Sequence, residues 1–193
     1  MVSVVWFKRD LRVQDHTPLA TACQNGEVIP LYIIEPEYWK LPDTSARQWQ
    51  FIKGCLQELD KKLQSLGSKL IIRIGKAEEV LEHLYIETEF KNLYTHEETG
   101  NLWTFKRDKA VKKWCAIKNV TWHEFRQFGV IRGYFNRGTG GKDAWAAQWH
   151  TLMNSPLATT PKKVVTPKIK TKLLPTVDDL YIKNDGLITL QTP

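Results

Sequence analysis

The chain has 193 residues, 42% hydrophobic and 25% charged, a balance that suits one globular domain with a real core and a tail. No stretch approaches the ~18 apolar residues of a membrane span and the N-terminus lacks the apolar core of a signal peptide, so a cytoplasmic protein without a membrane partner is expected. The formal charge of +7 is moderate and spread along the chain, which permits a nucleic-acid partner without showing one.

In chain order, Val2–Phe7, Val28–Ile34, Lys69–Ile74, Asn92–Thr95 and Val120–Phe125 are short runs rich in β-branched and aromatic residues. The first three are nearly continuous in apolar side chains, as strands covered on both faces are. Between the second and third lies the best helix. Asp43-Thr44-Ser45 offers capping side chains, Trp49, Ile52, Leu56, Leu59, Leu63 and Leu66 recur at spacings of three and four, and Gly67 closes it. Ala77–Glu89 supplies another helix. Leu102–Lys118 a third, with Trp103, Ala110, Trp114 and Ile117 on one face.

Strand and helix alternate throughout, and a parallel return requires a crossover. The fold class expected is α/β, a doubly wound, Rossmann-like five-stranded parallel sheet with helices on both faces. Ligands then belong outside the carboxyl ends of the strands, at the switch point of the strand order.

Past residue 126 the pattern breaks. Gln127–Arg137 is mixed, Gly138-Thr139-Gly140-Gly141 reads as a turn, and Lys142–Met153 reads as a short amphipathic helix. Residues 1–153 therefore form the expected domain. From 154 to 193 a linker or surface-wrapping tail is expected, because Ser155–Pro175 carries Pro156, Pro161, Pro167 and Pro175 among Lys162, Lys163, Lys168, Lys170 and Lys172.

Lys8, Arg9, Asp10 and Arg12 stand just past the first strand, where the crevice would open. The loop has no glycine, so its amides cannot cradle a pyrophosphate as GxGxxG or Walker loops do. Asp10 or Asp15 can pair with Arg9 or Arg12 to pin the loop, and the same arginines can stack on or fork toward a planar, acidic ligand. Trp6, Trp49, Trp103, Trp114, Trp145 and Trp149 fall at apolar positions and read as core. His16, His83, His96, His123 and His150 lack metal spacing, and neither metal ligands nor catalytic residues are assigned. Cys23, Cys55 and Cys115 are widely spaced and read as reduced core thiols.

The string "VVWFKRDLRVQDHTPL" resembles the N-terminal signature of the DNA photolyase and cryptochrome family, a strand ending W-F-R/K-R-D-L-R followed by a D-N/H-x-x-L helix start. In the same order, "VIPLYIIEPE", "FIKGCLQELDKKLQSLGSKLIIRIGKAEEVL" and "FKRDKAVKKW" resemble that family's second strand, its long helix with the third strand, and its R-D-x-x-V helix. The resemblance covers roughly residues 2–153. It departs from the family at "THEETGNLWTF", and "TGGKDAWAAQWHTLM" stands in place of the usual T-P-F/Y-W ending.

What the resemblance implies is a light-harvesting domain that passes near-UV or blue excitation to FAD in a following all-helical domain, where the full protein acts on damaged DNA as a deoxyribodipyrimidine photo-lyase or signals as a cryptochrome. Nothing before Pro193 resembles that helical domain, so the chain alone is expected to have no repair activity. Carried over by position, the pigment pocket would involve Phe7, Arg9, Asp10, Arg12, Ile34, Glu35, Arg47, Gln50, Phe51, Gly54 and Glu97. A deazaflavin or flavin is favoured over methenyltetrahydrofolate, because the acidic pattern that accompanies folate is not matched at Trp103-Thr104. The other reading is a free-standing small-ligand or nucleotide-binding α/β module of the electron-transfer-flavoprotein or universal-stress type.

Overall fold

The computed structural model describes residues 1–127, 132 and 145–182, and the backbone of 141–144. Five strands, β1 (Val2–Phe7), β2 (Glu27–Ile34), β3 (Ile71–Ile74), β4 (Asn92–His96) and β5 (Thr121–Phe125), form one all-parallel sheet in the order β3-β2-β1-β4-β5. The direction of winding reverses between β1 and β4, which fixes the switch point beside the exit of β1.

Alternation along each strand divides the core. Val5, Phe7, Val28, Tyr32 and Ile34 face helices α1 (Thr17–Gln24) and α3 (Ala46–Ser65), whereas Val4, Trp6, Ile29, Leu31 and Ile33 face α4 (Ala77–Thr88) and α5 (Leu102–Lys118). Helix α3 begins at a full capping box: Ser45 Oγ accepts from Gln48 N, and Gln48 Oε1 accepts from Ser45 N at 2.8 Å. It buries Trp49, Leu56, Leu59 and Leu63, and Gly67 takes φ +84° just beyond its end, where a Cβ would be strained. A four-residue helix, α2 (Pro36–Trp39), follows β2 directly and carries no periodic signal of its own.

Helix α6 runs Gly141–Met153. The turn expected over 138–140 and most of 127–137 lie outside the described residues. Trp145 corrects the expectation of a core tryptophan, being 42% exposed on this short helix. Trp6 and Trp49 are fully buried, as their positions predict.

The tail wraps the body and also enters it. Val164, Ile169, Leu180 and Ile182 are buried in the two core clusters, a larger share than so basic and proline-rich a segment suggests. Backbone bonds anchor it: Val164 N donates to Leu66 O at 2.8 Å, Val28 N to Val165 O at 2.8 Å, and Lys172 N to Ile72 O at 3.1 Å on the outer edge of β3. An edge strand thereby gains a cover, and isolated valines and isoleucines suffice because the sheet already supplies the apolar surface. Among the described residues, no helix is long and apolar enough to cross a membrane.

Candidate functional site

The carboxyl ends of β1 and β2 meet α2, the loop after β4 and the first turns of α5 around a small crevice. Its floor and walls are Trp6, Phe7, Tyr32, Ile33, Trp39 and Ile52, and its polar rim is Lys8, Arg9, Glu35, Tyr38, Glu98, Thr104 and Arg107. The cavity measures about 100 Å³. Drug-sized ligands occupy roughly 300–1,000 Å³, so the crevice as it stands admits only the edge of a large ring.

Arg107 fills its centre. Only 8% of its side chain is exposed, and it bonds Glu35 Oε2 at 3.0 Å, Glu98 Oε2 at 3.3 Å and Asp108 Oδ1 at 2.9 Å while lying 4.9 Å from the Trp6 ring centroid. Burial opposes its charge, but Glu35 and Asp108 outweigh burial and raise its pKa. For Glu35 burial wins over the pairing with Arg107, and its carboxyl is pushed up to about 7. Lys8 follows the same logic with the opposite sign: burial lowers its pKa even though Asp108 lies 3.5 Å away.

Glu98 has an unfilled hydrogen-bonding position. Its side chain is 4% exposed, and Arg9 Nε stands 3.1 Å from Oε1 but out of line for a hydrogen bond, so this buried oxygen has an ion-pair neighbour and no donor. Arg9 is the exposed partner, with 52% of its side chain accessible and its guanidinium donating to Tyr38 Oη at 3.4 Å.

Beside the crevice the loop after β1 is pinned from inside. Asp10 Oδ2 accepts from His16 Nε2 at 2.8 Å and from His96 Nδ1 at 2.6 Å, and Asp10 Oδ1 accepts from Lys8 N at 2.9 Å. Burial would raise the Asp10 pKa, yet the two histidine bonds carry it well below the usual carboxylate range. Burial lowers the pKa of His16 and keeps it neutral. These three residues are close enough to share a metal ion. However, His16 Nδ1 accepts from Leu19 N to cap α1, which leaves the proton on Nε2, the nitrogen a metal would need. The trio is therefore a loop anchor. It corrects the expected pairing of Asp10 or Asp15 with arginines: Arg9 turns to Glu98, and Arg12 donates to the carbonyls of Gln14 and Asp15.

Of the residues expected from sequence, Phe7, Arg9 and Glu35 line the crevice. Asp10 and Glu97 line a minor cleft next to it with His96 and Gln127. Ile34 is fully buried in the core, and Arg12 serves the loop backbone. The structure does not bring the α3 residues into the lining: Arg47 is exposed, Gln50 and Gly54 are half-buried, and Phe51 is 68% exposed because it points away from the Trp49–Ile52–Leu56 stripe. Ile52 lines the crevice instead. Sequence reasoning missed Glu98 and Arg107. Arg107 stood in the quoted R-D-x-x-V string and Glu98 next to Glu97, but neither position shows which carboxylate turns inward.

Comparison with known proteins agrees with this architecture. A tomato (Solanum lycopersicum) chloroplastic/mitochondrial cryptochrome DASH is 35% identical over 105 residues, 51% of this chain and 18% of the tomato protein. A class III photolyase from Agrobacterium tumefaciens superposes with a TM-score of 0.72 at 26% identity, covering 89% of this chain and 37% of that one. A photolyase from Sulfolobus tokodaii, solved with two FAD molecules, superposes with a TM-score of 0.63 at 20% identity over 97% of this chain and 43% of its own. The chain thus spans less than half the length of these relatives, and its fold is that of photolyase N-terminal domains. The family model for DNA photolyase matches residues 3–131, and the chain belongs to that family.

Proposed function

We propose that this chain is a light-harvesting domain whose crevice at the β1–β4 switch point holds a flat heteroaromatic pigment, passing excitation to FAD in the helical domain typical of the family. In that reading the parent protein repairs pyrimidine dimers in damaged DNA. The observation that carries the proposal is Glu98 Oε1, a buried acceptor with no donor in a crevice walled by Trp6, Phe7 and Trp39. An orphaned buried carboxylate oxygen is costly, and a ring N–H would satisfy it. Deazaflavins and flavins carry such an imide N–H between two carbonyls, with Arg9 and Tyr38 positioned to donate to those carbonyls. Polyphosphate chemistry is disfavoured, since the loop after β1 has no glycine and the crevice rim carries the carboxylates of Glu35 and Glu98, which repel phosphate.

The Glu98 acceptor and the Arg9 and Tyr38 donors fit the imide edge of this ligand class, and the cavity of about 100 Å³ admits that edge alone. The pigment would supply absorption in the near-UV or blue; the protein's part is to bind it, orient it and keep water from its edge. The test is titration of the 193-residue chain with riboflavin, FMN, a deazaflavin and methenyltetrahydrofolate, followed by absorbance and tryptophan quenching. Saturable binding of a flavin or deazaflavin is expected, at least tenfold weaker in Glu98→Ala, the loss of one charge-assisted hydrogen bond of ~1.5–3 kcal/mol. No saturable binding by any of the four, or equal affinity in the variant, overturns the proposal.

A further inference from the structure

The segment after α6 carries charge of one sign only. Residues 144–177 contain no Asp or Glu, and Lys162, Lys163, Lys168, Lys170 and Lys172 are all exposed. The segment is held as a strap. It runs in the same direction as residues 66–72: Val164 N donates to Leu66 O at 2.8 Å, Ser68 Oγ meets Thr166 Oγ1, and Lys172 N donates to Ile72 O at 3.1 Å. Alternate residues turn inward between these points. Ile169 is buried in the core and Thr171 Oγ1 accepts from Ile72 N at 2.8 Å, so Lys168, Lys170 and Lys172 share the outward side. The edge beneath, residues 66–74, adds the exposed Lys69 and Arg73 and no acid. Arg73 is occupied by the Lys170 carbonyl and by Glu87, 3.1 Å away, the acid that borders the groove beside Lys168 and Lys170. Among the described residues, the strap lysines and Lys69 have no ion-pair partner.

We propose that this strap is a contact for the phosphate backbone of duplex DNA, bound without regard to sequence and separate from the helical domain in which the family resemblance places the action on damaged DNA. Lysines at every second residue of an extended segment stand ~7 Å apart and repel one another, and a polyanion relieves that repulsion with release of its own counterions. Each ammonium is a point charge that suits phosphate and reads no base. The backbone bonds to residues 66–72 order the strap in advance, so little ordering cost is left for binding. No aromatic residue lies between His150 and Tyr181, so the strap has no platform on which unpaired bases would stack, and a single strand is the poorer occupant. A lipid surface is poorer too, because Val164 and Ile169 are already buried in the core. At ~3.3 Å per residue the strap from Lys162 to Lys172 reaches no further than roughly 33 Å, about the length of one duplex turn.

Fluorescence anisotropy of a labelled duplex of about 20 base pairs, titrated with the 193-residue chain in about 50 mM NaCl, should give a dissociation constant of roughly 1–100 μM and a slope of log K against log salt of about −4.5, the value for five phosphates. The triple variant Lys168→Gln/Lys170→Gln/Lys172→Gln should weaken binding at least tenfold and bring the slope to about −2, while the melting curve stays native because these side chains are exposed. Lys109→Gln/Lys112→Gln/Lys113→Gln removes the same charge from the exposed side of α5 and should stay within about threefold of the wild type, since screening confines the attraction to nearby phosphates. No saturable binding by the wild type overturns the proposal. So does equal weakening by the two triple variants, which makes the attraction one of net charge. Tighter binding to a single strand of the same length refutes it as well, and so does retention on phosphatidylserine vesicles that the strap variant loses while its duplex binding is unchanged.

Discussion

Glu35 and Arg107 show how far a few side chains set the character of the crevice. Both are more than nine-tenths buried, yet the balance tips differently: the guanidinium keeps its charge, and burial leaves the Glu35 carboxyl titrating near 7 rather than near its ordinary 4.5. A carboxyl raised in this way binds more protons folded than unfolded between about pH 4.5 and 7, so its contribution to stability falls as pH rises through that window. Urea unfolding of Glu35→Gln should accordingly show a smaller loss of stability between pH 5 and 8 than the wild type. Parallel pH profiles for the two proteins would contradict the account. Asp10 has the opposite sign, its carboxylate stabilised by His16 and His96, and its contribution disappears only below about pH 4.

The elements were readable where local chemistry decides them. Val2–Phe7 and Leu102–Lys118 have the bounds that their composition and spacing predict, and Ser45 and Gly67 mark the ends of α3 within a residue or two. The contribution of the tail was not readable, because it depends on partners about a hundred residues away. Ser68 Oγ meets Thr166 Oγ1, and Ile72 N donates to Thr171 Oγ1 at 2.8 Å. Val164 is the buried apolar anchor of this strap. Val164→Ala should cost about 2 kcal/mol in urea unfolding, in the range for deleting buried methyl groups, and should speed tryptic cleavage at Lys162 and Lys163. An unchanged midpoint and cleavage rate would mean that the strap only rests on the surface.

At the scale of the whole molecule, the parallel sheet, its two helical layers and the location of the crevice followed from the alternation of strands and helices, because crossovers and strand twist leave few arrangements. The lining did not follow. Carry-over by position from the family resemblance put the start of α3 at the crevice, whereas the helix presents Ile52 and turns Phe51 outward, and the polar centre is built from Glu98 and Arg107 on the far side of the switch point. The direction of a side chain at a loop or a first helical turn depends on packing that composition does not encode. The central claim, that a flat pigment seats at this carboxyl edge, is tested most directly by amide hydrogen exchange of the chain with and without saturating FMN or deazaflavin. Slower exchange should be confined to residues 7–9, 35–39, 97–98 and 103–107, with residues 164–172 unchanged. Protection absent from those segments, or concentrated at the groove formed by Val2, Thr88 and Pro167–Lys170 on the opposite edge, would contradict it.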